Sequence, residues 1–148
     1  MTEQVILAID EGTTGTRAGL VKADGSVEGL TYRRLSVASP TPGVVEQDAA
    51  EILDTTLEVV RAAVAAAQQQ GYEILALAIS TQRATMTLWD AATGEPLTPS
   101  CVWQDTRYAA DLAEKFAPTW DDQLVPVTGR RVGVRAPYYW AAQQIREV

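Results

Sequence analysis

The first 36 residues alternate short β-branched runs with tight-turn signals, and this pattern constrains the fold more than any other feature of the chain. Residues 5–9 (VILAI) form an apolar run of the kind a buried strand uses. The run ends at Asp10 and enters a turn of small residues, Glu11-Gly12-Thr13-Thr14-Gly15-Thr16. A second strand is expected over 17–22, Asp24-Gly25 is a strong hairpin signal, and 27–35 reads as a third strand. The chain should therefore begin with sequential antiparallel strands joined by tight turns.

Pro40, Pro42 and Gly43 then mark a loop. Asp48 with Glu51 three positions later has the form of a capping box, with Asp in place of Ser or Thr. Ile52, Leu53, Leu57, Val60 and Val64 follow at helical spacing, which predicts a helix to about Gln70 with Gly71 as its stop. Residues 74–79 are apolar throughout, as expected of a strand covered on both faces. A second hairpin-like unit is expected from 85–89, a turn at Thr93-Gly94 and 100–103, and then a helix over 105–116. The stretch holding Pro118, Pro126, Gly129 and Pro137 reads as loop-rich, before a short helix over 139–148. The order β-β-β-α-β is a mixed α/β arrangement, not a repeated βαβ unit.

Composition narrows the chemistry. The 148 residues carry 12 Lys and Arg against 19 Asp and Glu, a net charge of −7, and no histidine. Such a length suits one domain. Without histidine the chain assembles no Ser-His-Asp or Cys-His group and no His-ligated zinc or haem, so acid-base work falls to Asp, Glu, Tyr, Cys or Lys. Cys101 stands alone in an apolar run and reads as a small buried residue in a reducing compartment. The start lacks the basic n-region of a secretory signal, and the apolar runs are too short for a membrane span. An acidic chain without a basic cluster is a poor partner for nucleic acid or anionic lipid. A cytoplasmic enzyme or binding domain with a small-molecule ligand is expected.

The stretch from Asp10 to Arg17 is the most informative. A carboxylate at a strand end, followed by hydroxyl-bearing residues and two glycines, is what a phosphate and Mg²⁺ site requires. It is not a P-loop, because the lysine is absent and the turn joins two strands. An ordinary Gly/Thr hairpin turn with a capping Asp fits the same residues. Gln82-Arg83 follows the apolar run 74–79, at a strand end where open α/β sheets place ligands. Arg83 there offers a fork of donors to hydroxyls, or pairs with a nearby acid on the surface. Trp103 reads as a sugar platform or as plain core. Asp105 and Arg107 read as a helix-start pair, and Glu46, Asp48 and Glu51 as loop and capping residues.

Together, IDEGTTGTR at 9–17, PTPGVVEQD at 40–48, ISTQRATMTLWDAATGEPL at 79–97 and VWQDTR at 102–107 resemble the N-terminal domain of the FGGY carbohydrate kinases, most nearly their glycerol kinase branch. The resemblance covers nearly the whole chain. It implies an actin-like, ribonuclease H-like domain, incomplete at its C-terminus, from an enzyme that transfers the γ-phosphoryl group of MgATP to a hydroxyl of a sugar or polyol. ATP and Mg²⁺ are the implied cofactors. By the same resemblance Thr13, Thr14, Gly15 and Arg17 contact phosphate, Asp10 is the metal-associated carboxylate, and Thr13, Arg83, Trp103 and Tyr139 contact substrate. The Tyr139 segment, YWAAQQIR, departs from the family's YFSxTK-like form at Ala141, Gln143 and Gln144.

Two further departures bear on function. Where glycerol kinases read Gln-Arg-Glu-Thr, this chain has Gln82-Arg83-Ala84-Thr85, and Ala84 cannot accept hydrogen bonds from glycerol hydroxyls. Another polyol or a ketose is therefore a candidate substrate. The family's catalytic Asp and adenine pocket are expected beyond Val148, and neither Asp121 nor Asp122 sits in a context to replace that base. Residues 1–148 are accordingly expected to be the front portion of the N-terminal domain, inactive alone, with the missing C-terminal half or a second copy as partner. The competing reading is a non-catalytic sugar- or protein-binding module with a vestigial phosphate loop.

Overall fold

The computed structural model describes residues 2–115, 117–129, 131 and 137–148, and the chain forms two compact units. The first comprises residues 1–37 and 48–82, the second 38–47 and 83–148.

In the first unit, β1 (Gln4–Glu11), β2 (Gly15–Val21) and β3 (Val27–Arg34) form the expected antiparallel series. Helix α1 (Ala49–Gln70) follows, and β5 (Glu73–Thr81) returns parallel to β1, giving the sheet order β3-β2-β1-β5. Asp48 caps α1 by accepting from the Ala50 N–H at 2.8 Å. Gly71 ends the helix at φ 71°, its N–H reaching the last-turn carbonyls of Ala67 and Gln68. Glu51 does not return to Asp48 as a capping box requires. Its Oε1 accepts instead from the N–H and hydroxyl of Ser36, tying the helix start to the chain leaving β3.

The core lies between one face of β1 and β2 and a small-residue stripe of α1. Val5, Leu7, Ile9, Ala18 and Leu20 pack against Val59, Ala63 and Ala67. The helix face differs from the one its larger residues predict, since Leu53 and Leu57 are exposed. Alanines let the helix lie close to the sheet, and close packing outweighs residue size here. The expectation for β5 also fails: among the described residues it is the last strand of the sheet, and Leu75, Leu77 and Ile79 are each more than half exposed. Its apolar run signals a strand but does not say what covers it.

In the second unit, β4 (Glu46–Gln47) pairs antiparallel with β6 (Ser100–Cys101). The second hairpin is reduced to isolated bridges, Met86 with Cys101 and Trp89 with Pro96. The helix expected from 105 begins only at Ala109 (α2, Ala109–Lys115), because Asp105 is used in a side-chain network. Phe116 lies outside the described residues.

The loop-rich expectation for Pro118 and Pro126 is overturned by α3 (Ala117–Thr128). Pro118 occupies its first turn, where no intrahelical N–H bond is lost, and Pro126 its last. Helix α4 (Pro137–Glu147) begins two residues earlier than expected, with Pro137 at its first position. Cys101 and Trp140 are buried with Met86, while Leu112 and Tyr139 form a smaller cluster.

Among the described residues no helix is long and apolar enough to cross a membrane.

Candidate functional site

Strand alternation builds the site in the first unit. Along β1, Val5, Leu7, Ile9 and Glu11 turn toward the α1 side, leaving Asp10 on the open face. Asp10 is the register partner of Arg17 on β2 and of Ser80 on β5, and Arg17 is the partner of Tyr32 on β3. Tyr32, Arg17, Asp10 and Ser80 thus form one row across the open face. The Arg17 Nη1 donates to Asp10 Oδ2 at 2.9 Å, and its guanidinium lies 5.1 Å from the centre of the Tyr32 ring. Both charged side chains are about half exposed, at 45% and 54%, so the pair contributes about 1 kcal/mol at most and remains open to a ligand.

The β1–β2 turn is anchored on both sides. The Tyr32 hydroxyl donates to the Thr14 carbonyl at 3.0 Å, and the Leu35 N–H donates to the same oxygen at 3.1 Å. Opposite, the Thr13 hydroxyl donates to Gln82 Oε1 at 2.9 Å. Gln82 Nε2 donates to Glu11 Oε1 at 3.3 Å, and the Gln82 N–H to the Glu11 carbonyl at 2.7 Å. Burial pushes the Glu11 carboxyl up, Gln82 offsets part of that, and the neighbouring Asp10 charge adds to it.

Gly15 has a packing reason that the sequence does not reveal. A Cβ there would come within 2.4 Å of the Arg33 carbonyl oxygen and of the Tyr32 ring. Close approach of β3, not a special backbone angle, requires glycine at this position.

Beside the turn lies an open hollow of about 450 Å³ lined by Thr14, Arg34, Leu35, Ser36 and Val37. It brings a further cation, Arg34, to the edge of the phosphate-type loop. Sequence reasoning missed both Arg34 and Tyr32. Their only signal was their place on the strand that pairs with β2.

The donor set suits a hard cation in a limited way. Asp10 offers an exposed carboxylate oxygen, while Glu11 faces the opposite side of the strand and adds none. Among the described residues no group of three or more Asp, Glu, Cys or His is arranged to hold a metal ion. Mg²⁺ is commonly held by one or two carboxylates together with phosphate oxygens and water, so these residues fit an ion that arrives with a phosphate.

The remaining expected site residues belong to the second unit. Arg83 is exposed directly after the strand end. Ala84 adopts φ +57°, a conformation that disfavours any residue with a Cβ. Trp103 is 37% exposed and so is not plain core.

Tyr139 is buried at 8%. Its hydroxyl donates to Asp111 Oδ2 at 3.0 Å, and its ring meets Tyr108 edge-on at 5.7 Å. Burial raises the Tyr139 hydroxyl, and the Asp111 contact raises it further. The adjacent Tyr138 is the exposed tyrosine of α4, at 56%.

Asp105 and Arg107 form a structural pin rather than a bare helix-start pair. Asp105 is fully buried and accepts from the Val45 N–H at 2.7 Å, the Arg107 N–H and the Arg107 guanidinium, which also reaches Glu46 at 2.8 Å. Burial pushes the Asp105 carboxyl up, but Arg107 and the Val45 amide outweigh it and hold it below the usual range.

Comparison with known proteins agrees with this arrangement. Residues 5–133 match the N-terminal domain model of the FGGY family of carbohydrate kinases. The chain is 44% identical over 141 residues to a glycerol kinase of Trichormus variabilis, covering 95% of this chain and 27% of that one. It is 40% identical over 126 residues to a glycerol kinase of Synechocystis, covering 85% of this chain and 26% of that one. A crystal structure of Plasmodium falciparum glycerol kinase with ADP superposes with TM-score 0.83 at 23% identity, covering 91% of this chain and 27% of that one. A xylulose kinase from Rhodospirillum rubrum gives 0.80 at 26%, covering 88% and 27%. The fold is thus the actin-like one shared by these sugar kinases. The chain spans about a quarter of the length of the curated relatives it matches. On the matched residues and on the sheet that carries them, the chain belongs to the FGGY family of carbohydrate kinases, within their N-terminal domain.

Proposed function

We propose that residues 1–148 supply the phosphate-loop half of an ATP-dependent kinase that phosphorylates a hydroxyl of a small sugar or polyol, as the front portion of its N-terminal domain. The observation that carries this reading is the open-face row of Asp10 and Arg17 beside the anchored Thr13–Thr14 turn. Phosphoryl transfer depends chiefly on positioning and on neutralising the charge that develops on the transferred group. Arg17, Thr14 and the backbone at Gly15 are the groups that would receive phosphate oxygens. Asp10 would hold Mg²⁺, which supplies charge neutralisation when bound.

Arg83 and Trp103 would orient the substrate, one by its fork of donors and the other by its apolar ring face. On α4 the exposed Tyr138 is better placed for such a contact than Tyr139, whose hydroxyl proton goes to Asp111. Ala84 brings no acceptor to this region, which favours a polyol or ketose whose hydroxyls are satisfied elsewhere. None of these residues is a general base, and in this reading the base and the adenine pocket belong to sequence outside residues 1–148. The cytoplasm is the compartment that supplies both ATP and such substrates.

The test begins with the size of the natural polypeptide, read by immunoblot with an antibody to this domain. A band well above 16 kDa is expected. That polypeptide should then release ADP from MgATP only when a polyol or sugar is added, and Asp10→Ala should abolish the release. ADP release indifferent to every sugar and polyol would overturn the proposal.

A further inference from the structure

Tyr32 stands on β3, outside the Asp10–Arg17 motif, yet it meets both of the groups assigned to phosphate. We propose that Tyr32 is a positioning residue that holds the Arg17 guanidinium and the Thr14–Gly15 backbone at a fixed spacing, matched to one phosphate group. The inference rests on the function proposed above and names the side chain that sets the geometry of its phosphate loop.

The argument starts from the sheet register. Arg17 pairs with Asp10 across β1 and β2 and with Tyr32 across β2 and β3, so its side chain has a carboxylate on one flank and an aromatic ring on the other. It meets both, Asp10 Oδ2 at 2.9 Å and the ring centre at 5.1 Å. The two partners respond differently to a ligand. A carboxylate occupies an N–H donor that a phosphate oxygen also needs, and a divalent cation draws that carboxylate to itself. An aromatic ring takes the face of the guanidinium and leaves the N–H groups at its edge to other acceptors. The ring contact therefore survives while Arg17 turns from Asp10 to phosphate, and it limits how far this half-exposed side chain strays.

The same side chain holds the turn. The Tyr32 hydroxyl donates to the Thr14 carbonyl at 3.0 Å. Its ring edge occupies the space that Gly15 leaves by having no Cβ. Tyrosine has few rotatable bonds, so a support built on it is stiffer than one built on a long aliphatic side chain. One rigid ring thus links the cation of the loop to its backbone.

The test uses the natural polypeptide that carries residues 1–148, with isotope-labelled arginine and with Mg²⁺-pyrophosphate as the probe. Tyr32→Phe keeps the ring and loses the hydroxyl, whereas Tyr32→Leu loses both. Calorimetry reads affinity, and melting temperature is recorded alongside. Magnetic resonance follows the Arg17 side-chain N–H signal, assigned by its disappearance in Arg17→Met. Tyr32→Leu should weaken binding about tenfold and Tyr32→Phe only about threefold. The Arg17 signal should keep its ring-current shift in Tyr32→Phe and lose it in Tyr32→Leu.

Unchanged affinity in Tyr32→Leu would overturn the positioning role and leave the phosphate reading standing, whatever the melting temperature does. Equal losses in the two variants would overturn the part given to the ring. An Arg17 signal indifferent to Tyr32→Leu would do the same, with weaker binding then following from a lower melting temperature. Absence of binding by the unsubstituted protein would overturn the phosphate reading, and the role of Tyr32 with it.

Discussion

At the residue scale, single side chains show where local backbone and packing constraints concentrate. Ala84 holds φ +57° immediately after Arg83, so a β-branched residue there is disfavoured twice, by its Cβ and by its branched side chain. Ala84→Val should destabilise the chain by about 1–3 kcal/mol, whereas Ala84→Gly should be neutral or stabilising, as read by urea denaturation. Gly15→Ala should cost about 2 kcal/mol or more, because the obstructing atom is a strand carbonyl rather than a flexible tip.

Cys101 is buried, and burial pushes its thiol up to about 11, so it remains the neutral thiol at pH 7. Iodoacetamide should therefore modify it slowly in the native chain and rapidly in denaturant, with the native rate rising toward pH 11. Burial of this cysteine was legible from its apolar neighbours. The reason for Gly15 was not, since the atoms it makes room for lie on another strand.

At the element scale, the network of Asp105, Arg107, Glu46 and the Val45 amide joins segments about 60 positions apart in sequence. Asp105→Ala should cost about 3–5 kcal/mol, because it leaves the guanidinium short of a partner in a largely buried site. The sign with pH follows from the lowered Asp105 carboxyl. Its contribution is complete above the unfolded value near 3.8 and is lost as pH falls through the lower folded value. Acid unfolding followed by circular dichroism should therefore begin at higher pH in Asp105→Asn than in the unsubstituted chain.

Elements carried by short-range signals were legible: the strand turns, the Asp48 cap and the Gly71 stop all read directly. Helix α3 was not, because prolines at its first and last turns look in sequence like loop punctuation. The pairing of β4 with β6 was equally hidden, since two-residue strands carry no periodicity.

On the scale of the whole molecule, the candidate residues fall into two groups, one in each unit. The Asp10–Arg17 row, the Thr13–Thr14 turn and Gln82 belong to the first unit, and Arg83, Trp103 and the tyrosines of α4 to the second. Candidate residues near Asp10 were found because one contiguous motif holds them. The contributions of Tyr32, Arg34 and Gln82 needed the sheet register, which no single stretch encodes.

Among the described residues β5 is the last strand of its sheet, and it carries an apolar stripe, Leu75, Leu77 and Ile79, beside an unpaired row of backbone groups. Such an edge favours pairing between copies. The chain should show concentration-dependent association by analytical ultracentrifugation, and Leu77→Lys should reduce it without lowering the melting temperature.

The double anchoring of the β1–β2 turn has a thermodynamic consequence. A loop tethered by Tyr32 on one flank and by Gln82 on the other arrives already ordered, so a ligand that enters it loses little chain freedom on binding. Calorimetry of such a site should give a small heat-capacity change for a phosphate probe, and severing either tether should appear first as an entropic penalty and only then as lost enthalpy.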